Sequence, residues 1–270
     1  MIPVTGHYKN MKDQTVLFHS TIFGPIHSRR LGTSLGVNLT PVDGKVCTFD
    51  CLYCEAGFNS QGTGKAGMPP RAEVARLLEE KLQDMRRKGE TLDVITFSGN
   101  GEPTLHPEFP GIIDDTIRLR DAYFPAAKVS VLTNSTRVFD PKVAQALKLV
   151  DNNILKLDSA VEDTMRTIDR PVSNQFTVEK VVDALKQFEG TGIIQTMLLR
   201  GEYCGKHIDN TTPEELEALC KAYKEIKPRE VMIYSIDRET PAEHLRAVPH
   251  EEQRRIADWF RAQGIPVMSF

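Results

Sequence analysis

Three cysteines lie close together in the segment CTFDCLYC, where Cys47, Cys51 and Cys54 have the spacing C-x3-C-x2-C. Soft thiolate ligands bind zinc, copper(I) or iron–sulfur clusters. Closed structural zinc sites need four ligands, and ordinary [4Fe–4S] electron carriers also use four cysteines. If three cysteines hold a four-iron cluster, one iron lacks a protein ligand and is free to bind another molecule. An open coordination position of this kind is a site for chemistry, as it is in catalytic zinc enzymes.

The cysteine motif also has an aromatic residue, Tyr53, directly before its last cysteine. With this feature it resembles the cluster-binding signature of the radical S-adenosylmethionine superfamily. The resemblance implies a [4Fe–4S] cluster on the three cysteines, whose open iron chelates the amino and carboxylate groups of S-adenosylmethionine. It also implies that one electron from the reduced cluster cleaves the sulfonium to give a 5′-deoxyadenosyl radical. The alternative is a Cys3His zinc site with His19 or His27 as its fourth ligand.

The composition is that of an ordinary globular protein, with 270 residues, 40% of them hydrophobic and 26% charged. The net charge is −3 and no Lys/Arg block occurs, which disfavours a long nucleic-acid footprint or an anionic membrane surface. The sequence has no signal-peptide pattern and no apolar run of about 18–20 residues. Five cysteines, an odd number, favour a reducing compartment over a disulfide framework. We therefore expect a cytoplasmic protein without a membrane segment.

Hydrophobic periodicity predicts strands that alternate with helices after an irregular N-terminal extension, residues 1–33. Six strands followed by helices predict a parallel sheet with right-handed crossovers. A complete eight-unit barrel needs about 250 residues, but the sequence predicts only six strand–helix units. We therefore favour a single domain over residues 1–270 with a partial (β/α)6 barrel. The superfamily resemblance implies the same fold, and a doubly wound open sheet is the alternative. The strands are predicted at 34–40, 94–97, 128–132, 153–157, 193–199 and 230–236, and the helices at 71–88, 107–121, 140–149, 177–189, 212–226 and 250–263.

Polar residues recur directly after the predicted strands. Because ligands of parallel α/β proteins bind at the carboxyl ends of the strands, we expect these residues to form one site. The residues expected at this edge of the sheet are, in chain order, the cysteine loop, Gly99–Glu102, Asn134, Asp158, Arg200, Asp237 and Arg238.

The segment SGNGEP, residues 98–103, follows the second predicted strand. It resembles the Gly-Gly-Glu-Pro motif of the superfamily, and the resemblance implies that Gly99, Gly101 and Glu102 bind the methionine amino group. Glycines allow close approach of the backbone, and a carboxylate complements an ammonium group. Asn100 departs from the usual Gly-Gly pair. Alone, the stretch is equally compatible with a plain strand-to-helix turn.

Three further residues at strand ends are candidates for the ribose hydroxyls: Asn134, Lys156 and Asp158. Lys156 and Asp158 are two residues apart on one strand and share a face, so a buried ion pair is the alternative. Arg200 is a candidate for the methionine carboxylate, because its planar fork suits that anion. Substrate binding and a structural salt bridge are the alternatives for Arg200.

Weaker candidates complete the predicted site. Arg29 and Arg30, together with Asp237 and Arg238, are candidates for substrate contacts, although Arg29 and Arg30 are equally compatible with a solvated pair. Cys204 follows the fifth strand and is a weak candidate for a catalytic radical relay or thiol donor. Cys220 shares an apolar helix stripe with its neighbours and is expected in the core.

Over most of its length the chain resembles a poorly characterised group of iron–sulfur oxidoreductases within the superfamily, distantly similar to wybutosine-synthesis enzymes and glycyl-radical activating enzymes. This resemblance implies an external one-electron donor such as flavodoxin or ferredoxin, and hydrogen abstraction from a small molecule, peptide or RNA. An activase would need a large protein partner, and a tRNA-modifying enzyme would bind RNA in a salt-dependent way. A zinc-stabilised binding module is the non-enzymatic alternative.

Overall fold

The computed structural model describes residues 16–28 and 32–269 of the chain. Arg29 and Arg30 lie outside these ranges, so their contact with a substrate stays a prediction. Within the described residues the sheet has ten strands. They are β1 (Ile22–Ser28), β2 (Gly32–Val37), β3 (Val94–Phe97), β4 (Lys128–Thr133), β5 (Asn152–Lys156), β6 (Ile193–Tyr203), β7 (Lys206–Asp209), β8 (Glu230–Ser235), β9 (Leu245–Ala247) and β10 (Val267–Ser269).

Helices connect the parallel strands, and several begin or end at residues that suit those positions. Asp140 caps one helix by accepting a hydrogen bond from the Lys142 amide, with Pro141 in the first turn. Gly89 ends another helix at φ 69°, a left-handed conformation that favours glycine. The helices are α1 (Arg71–Lys88), α2 (Phe109–Tyr123), α3 (Pro141–Leu149), α4 (Glu162–Ile168), α5 (Val178–Leu185), α6 (Pro213–Ile226) and α7 (His250–Ala262).

The sheet is mostly parallel and does not close into a barrel. Strands β2, β3, β4, β5, β6, β8 and β10 pair in that order, each parallel to the next. Strand β1 lies antiparallel against β2 at one end, and β10 lies at the other end. The predicted partial, open α/β barrel is therefore confirmed.

Three local predictions were incomplete. Residues 22–28 form an edge strand, although residues 1–33 were expected to be irregular. The pairing of this strand with β2 shifts register between Phe23 and Ile26. The shift interrupts the alternation of apolar and polar residues by which a strand is predicted. The apolar C-terminal tail adds a seventh parallel strand of only three residues. Strands β7 and β9 both pair antiparallel with the extended end of β6, and neither was predicted.

Burial follows the pattern expected of a central parallel sheet. All four residues of β3 are buried, as a strand covered on both faces requires. On β5, β6 and β8 a small separate cluster consists of Ile154, Ile193 and Met232. Because side chains alternate along a strand, Lys156 shares the face of Ile154. This face continues to the carboxyl edge, where Asp158 lies. No helix of the described residues has the length and apolar character needed to cross a bilayer.

Candidate active site at the carboxyl edge of the sheet

The cysteine loop follows β2 and is fixed by backbone contacts with the loop after β3. Val46 forms a parallel bridge with Gly101. The Val46 amide donates to the Asn100 carbonyl at 3.2 Å, and the Glu102 amide donates to the Val46 carbonyl at 3.0 Å. A Cβ atom at residue 101 would lie 1.9 Å from the Val46 carbonyl oxygen. Glycine is therefore required at 101 so that the backbone just before Cys47 can approach this closely.

We predict that Gly101→Ala displaces Val46 and with it Cys47. The added methyl group overpacks a backbone contact and should cost about 1–3 kcal/mol of unfolding free energy. Iron bound after anaerobic reconstitution should fall to a minor fraction of the wild-type value. Gly190→Ala is the control, since Gly190 has φ 72° but a Cβ atom there would meet no other atom within 4 Å. The control should lose stability while keeping its iron, and full iron in Gly101→Ala would contradict the account.

A turn between α4 and α5 fixes the other side of the cysteine loop. The Asp50 amide donates to the Asp169 carbonyl at 3.0 Å, and the Leu52 amide donates to the Ile168 carbonyl at 2.9 Å. Arg170, with φ 48°, forms an ion pair with Asp50 at 3.1 Å. Sequence reasoning did not assign this turn to the site. Its only sequence signal is the run of polar residues before a proline in RTIDRP.

Cys51 is buried, and Cys47 and Cys54 are partly buried. Burial and the negative charge of Glu102 raise the pKa of Cys47 to about 11, and Cys54 contributes to this rise. Burial, the charge of Asp169, and the other two cysteines raise the pKa of Cys51 well above its usual value. The Cys51 thiol donates a hydrogen bond to Asp169 Oδ1 at 3.5 Å. A metal centre would have to displace these protons, since thiolates are the ligands.

The donor set fits an iron–sulfur cluster in its chemistry. Three thiols on one loop are the soft ligands that such clusters require. Within residues 16–28 and 32–269, no three His, Cys, Asp or Glu side chains are grouped closely enough to hold a metal ion as they stand. His19, a candidate fourth zinc ligand, instead places Nδ1 at 3.2 Å from the Val42 carbonyl oxygen.

Glu102 is buried beside the cysteine loop, and its carboxylate accepts hydrogen bonds from several donors. Its Oε1 accepts hydrogen bonds from the Thr104 amide at 3.0 Å and the Thr133 hydroxyl at 2.7 Å. Its Oε2 accepts from the Asn134 amide at 2.6 Å. Burial raises the pKa of Glu102, although these hydrogen bonds oppose the rise. The carboxylate thus joins the loops after β3 and β4, and its contact with an ammonium group stays a prediction.

The neighbours of Glu102 have clear structural tasks. The side-chain amide of Asn100 has hydrogen-bond partners for both of its polar atoms. Its Oδ1 accepts from the Phe18 amide at 2.7 Å, and its Nδ2 donates to the carbonyls of Phe18 and Pro41 at 2.9 Å. A Cβ atom at Gly99 would lie 2.2 Å from Asn38 Oδ1. Through these contacts Asn100 fixes the segment before β1, and its predicted contact with the cofactor stays a prediction.

Asn134 lies against the first cysteine. Its Nδ2 lies 3.5 Å from Cys47 Sγ and donates to Thr48 Oγ1 at 2.9 Å. Its Oδ1 accepts from the Thr136 amide at 3.0 Å. These bonds direct the side chain to the cysteine loop, and its proposed contact with a ribose remains untested.

Tyr53, Lys156 and Asp158 form a buried hydrogen-bonded group. The Tyr53 hydroxyl donates to Asp158 Oδ2 and accepts from Lys156 Nζ. Lys156 Nζ lies 3.2 Å from Asp158 Oδ2, and the Asp158 side chain has no exposed surface. Burial lowers the pKa of Lys156, but the charges led by Asp158 outweigh this effect and raise it well above its usual value. The ion pair between Lys156 and Asp158 is formed, and the contact of these residues with a ribose stays a prediction.

Arg200 is engaged by protein carboxylates. Its Nε donates to Asp209 Oδ2 at 2.9 Å on β7, and its Nη1 donates to Glu252 Oε2 at 2.9 Å on α7. Its Nη2 donates to the other Glu252 oxygen and to Thr211. A guanidinium that is bidentate to one carboxylate and bonded to a second has few donors left for a ligand. The structure therefore favours the structural salt bridge over the predicted contact with methionine.

We predict that Arg200→Met lowers the free energy of unfolding by about 1–3 kcal/mol, because it leaves Glu252 and Asp209 without their cation. The dissociation constant for S-adenosylmethionine should stay within about a factor of two, and Arg200→Lys should be intermediate in stability. Urea unfolding and calorimetric titration measure the two quantities. A tenfold loss of affinity with unchanged stability would restore the ligand-binding assignment.

The weaker candidates are spread around the edge. Arg238 forms an exposed ion pair with Glu55, directly after the last cysteine of the loop, at 2.5 Å. Asp237 is exposed next to it. Cys204 is exposed at the tip of the β6–β7 hairpin with φ 51°, and Cys220 is buried on α6, as expected for a core residue. The substrate contacts of these residues, and the catalytic role of Cys204, stay predictions.

The sequence profile of the radical SAM superfamily matches residues 42–203 of this chain, which is more than half of its length. The matched range holds the cysteine loop, the Gly99–Glu102 loop, Asn134, Lys156 and Asp158. The chain therefore belongs to the radical SAM superfamily, whose members are enzymes.

Two curated relatives show how far the similarity extends. A protein of Brachyspira hyodysenteriae named GTPase Obg is 29% identical over 255 residues, which are 93% of this chain and 35% of that protein. A UPF0026 protein of Synechocystis is 30% identical over 227 residues, 82% of this chain and 77% of the relative. The chain thus spans about a third of the first relative's length.

Two solved structures share the fold. A radical SAM methyltransferase from Sphaerobacter thermophilus has a TM-score of 0.65 at 17% identity, covering 88% of this chain and 65% of that chain. The wybutosine-synthesis enzyme TYW1, solved with a lysine–pyruvate adduct bound, has a TM-score of 0.58 at 13% identity, covering 86% and 75% of the two chains. The expected similarity to wybutosine-synthesis enzymes is confirmed at the level of the fold.

Proposed function

We propose that this protein reductively cleaves S-adenosylmethionine and uses the resulting radical to abstract hydrogen from a substrate. One observation carries the proposal: three cysteines on a single loop lie at the carboxyl edge of a parallel sheet in a radical SAM chain. Cys47, Cys51 and Cys54 would hold a [4Fe–4S] cluster. When bound, the cluster supplies an electron that splits the sulfonium and gives a 5′-deoxyadenosyl radical.

The residues of the chain supply binding, orientation and shielding, as is usual for cofactor enzymes. The loop contacts at Gly101 and at residues 168–172 hold the three thiols at the sheet edge. Tyr53, Lys156 and Asp158 form a polar group under the loop that is suited to the ribose hydroxyls. Glu102 and the backbone of its loop are suited to the methionine ammonium. Arg200 has no assigned contact with the ligand in this proposal.

The proposed setting is the cytoplasm, with a flavodoxin or ferredoxin as electron donor. Free thiols at the sheet edge persist in a reducing compartment. The superfamily fold is shared by enzymes with different substrates, so the substrate class does not follow from the fold. A small molecule, a peptide and an RNA all remain candidate substrates.

The test is anaerobic incubation of the iron-loaded, reduced protein with S-adenosylmethionine and deuterated cell-extract fractions. We expect 5′-deoxyadenosine to form, and we expect deuterium in it only with the fraction that holds the substrate. A colourless protein that binds zinc and forms no 5′-deoxyadenosine would contradict the proposal and favour a zinc-stabilised binding module.

A further inference from the structure

A surface cavity of about 450 Å³ lies beside the cysteine loop. Its wall contains Thr48, directly after Cys47, together with the aromatic rings of Phe139 and Phe176. Phe139 is 48% exposed and Val172, at the same cavity, is 69% exposed. Large exposed apolar side chains grouped in one place mark an interaction site. We call the surface formed by Phe139, Val172, Phe176, Arg137 and Lys180 the Phe139 face.

Two cationic side chains and no carboxylate belong to the described lining of the Phe139 face. The two cations are Arg137 and Lys180. Arg137 pairs with Asp140 at 3.0 Å, while Lys180 Nζ donates to the Gln175 carbonyl at 3.1 Å. An apolar centre with a cationic rim is complementary to an acidic protein surface.

A chain of contacts runs inward from this face to the first cysteine. The Phe139 ring lies 6.4 Å from the Phe176 ring, and the Phe176 ring lies 5.2 Å from the Phe49 ring, each edge to face. The Phe49 amide donates a hydrogen bond to Cys47 Sγ at 3.4 Å. Two ring contacts and one backbone hydrogen bond therefore connect the exposed surface with the predicted ligand Cys47.

A second route joins the same surface to the loop. The amide of exposed Val172 donates to the Thr48 carbonyl at 2.9 Å. Asn134 Nδ2 contacts both Thr48 Oγ1 and Cys47 Sγ. By contrast, Lys156 and Asp158, the groups proposed to hold the ribose, do not line this cavity. The Phe139 face is thus separate from Lys156 and Asp158 but close to the thiols.

We infer that the Phe139 face docks a small acidic one-electron carrier protein of the flavodoxin or ferredoxin kind. The inference rests on the proposed function, which requires an electron at the three cysteines. The docked carrier loses one electron and is oxidised, and the centre at Cys47, Cys51 and Cys54 gains that electron. No covalent bond forms or breaks in this step.

The test compares two carriers with a small reductant. The face variant is Val172→Glu with Lys180→Glu, and the control is Leu149→Glu with Lys224→Glu. Leu149 is 52% exposed. Leu149 and Lys224 lie at the C-terminal ends of α3 and α6, which are at the opposite edge of the sheet. The control variant therefore changes the net charge by the same amount at a distant place. Reduction of each iron-loaded protein is followed by stopped-flow absorbance with flavodoxin hydroquinone, with reduced ferredoxin, and with dithionite.

We expect carrier-driven reduction of the face variant to be about tenfold slower than that of the control at low salt, because cationic steering is lost. The difference should shrink as salt screens the charges. Dithionite should reduce both proteins at the same rate. Equal rates with both carriers would overturn the inference while leaving the proposed function intact. A wild-type protein that takes up no iron would overturn the proposed function and this inference with it.

Discussion

Cys51→Ala is expected to abolish cluster assembly and the cleavage of S-adenosylmethionine together. A cluster held by three cysteines loses one of its three protein bonds, and the remaining two thiols cannot hold four irons in place. Cys47→Ala and Cys54→Ala should behave in the same way. Iron content, the absorbance of the reconstituted protein and 5′-deoxyadenosine formation report the loss, which should reach the background of a protein without iron.

Cys220→Ala is the matched control for this experiment. Cys220 and Cys51 are 6% and 7% exposed, so both substitutions remove a buried thiol. Cys220 packs on α6 with the core and has no place in the cysteine loop. The control should keep full iron and full product formation. If any variant of the three loop cysteines still formed 5′-deoxyadenosine, the cluster assignment would be wrong.

Asp158→Ala is expected to destabilise the fold strongly. The substitution leaves the Lys156 ammonium, the Tyr53 hydroxyl and the Met197 amide without their shared acceptor. Removing one partner of a buried ion pair costs about 3–5 kcal/mol, because a charge is left uncompensated. Equilibrium unfolding in urea measures this loss.

The double variant Lys156→Met with Asp158→Leu separates stability from binding. Replacing both charges by apolar groups should recover the part of the lost stability that comes from the uncompensated Lys156 charge, whereas the Tyr53 hydroxyl and the Met197 amide still lack their acceptor. If the pair binds the ribose, the double variant should be folded and yet bind S-adenosylmethionine at least tenfold more weakly. A stable double variant with wild-type affinity would show that the pair serves the fold alone.

The sequence predicts those parts of the site that have local patterns. The spacing of Cys47, Cys51 and Cys54 lies within one loop, and the helix caps at Asp140 and Thr212 are read from neighbouring residues. Strand ends can be located because buried parallel strands are short apolar runs between turn residues. For this reason the edge that gathers Glu102, Asn134 and Asp158 is predictable without knowledge of any contact.

The remaining features depend on contacts between distant residues, which no local pattern reveals. Asp169 is 118 positions from Cys51, and nothing near it marks it as a neighbour of the cysteine loop. The partners of Arg200 lie on β7 and α7, so its ion pairs could not be distinguished from a ligand-binding role. The need for glycine at 101 arises from Val46, which belongs to a different loop.

The fold also explains why the glycines after β3 matter. Sequence reasoning assigned them to the approach of a ligand, whereas Gly101 accommodates the strand-like backbone that leads into Cys47. The two tasks are compatible, because a loop that positions the thiols also lies next to whatever they bind. The motif therefore acts on the predicted cluster through the position of the cysteine loop.

We propose that Cys47, Cys51 and Cys54 hold a four-iron cluster with one iron open to S-adenosylmethionine. Mössbauer spectroscopy of protein reconstituted with ⁵⁷Fe under anaerobic conditions tests it most directly, with and without S-adenosylmethionine. We expect a [4Fe–4S] spectrum in which one iron site changes its isomer shift when S-adenosylmethionine binds. Four irons that do not respond to it, or a protein that holds zinc and no iron, would contradict the claim.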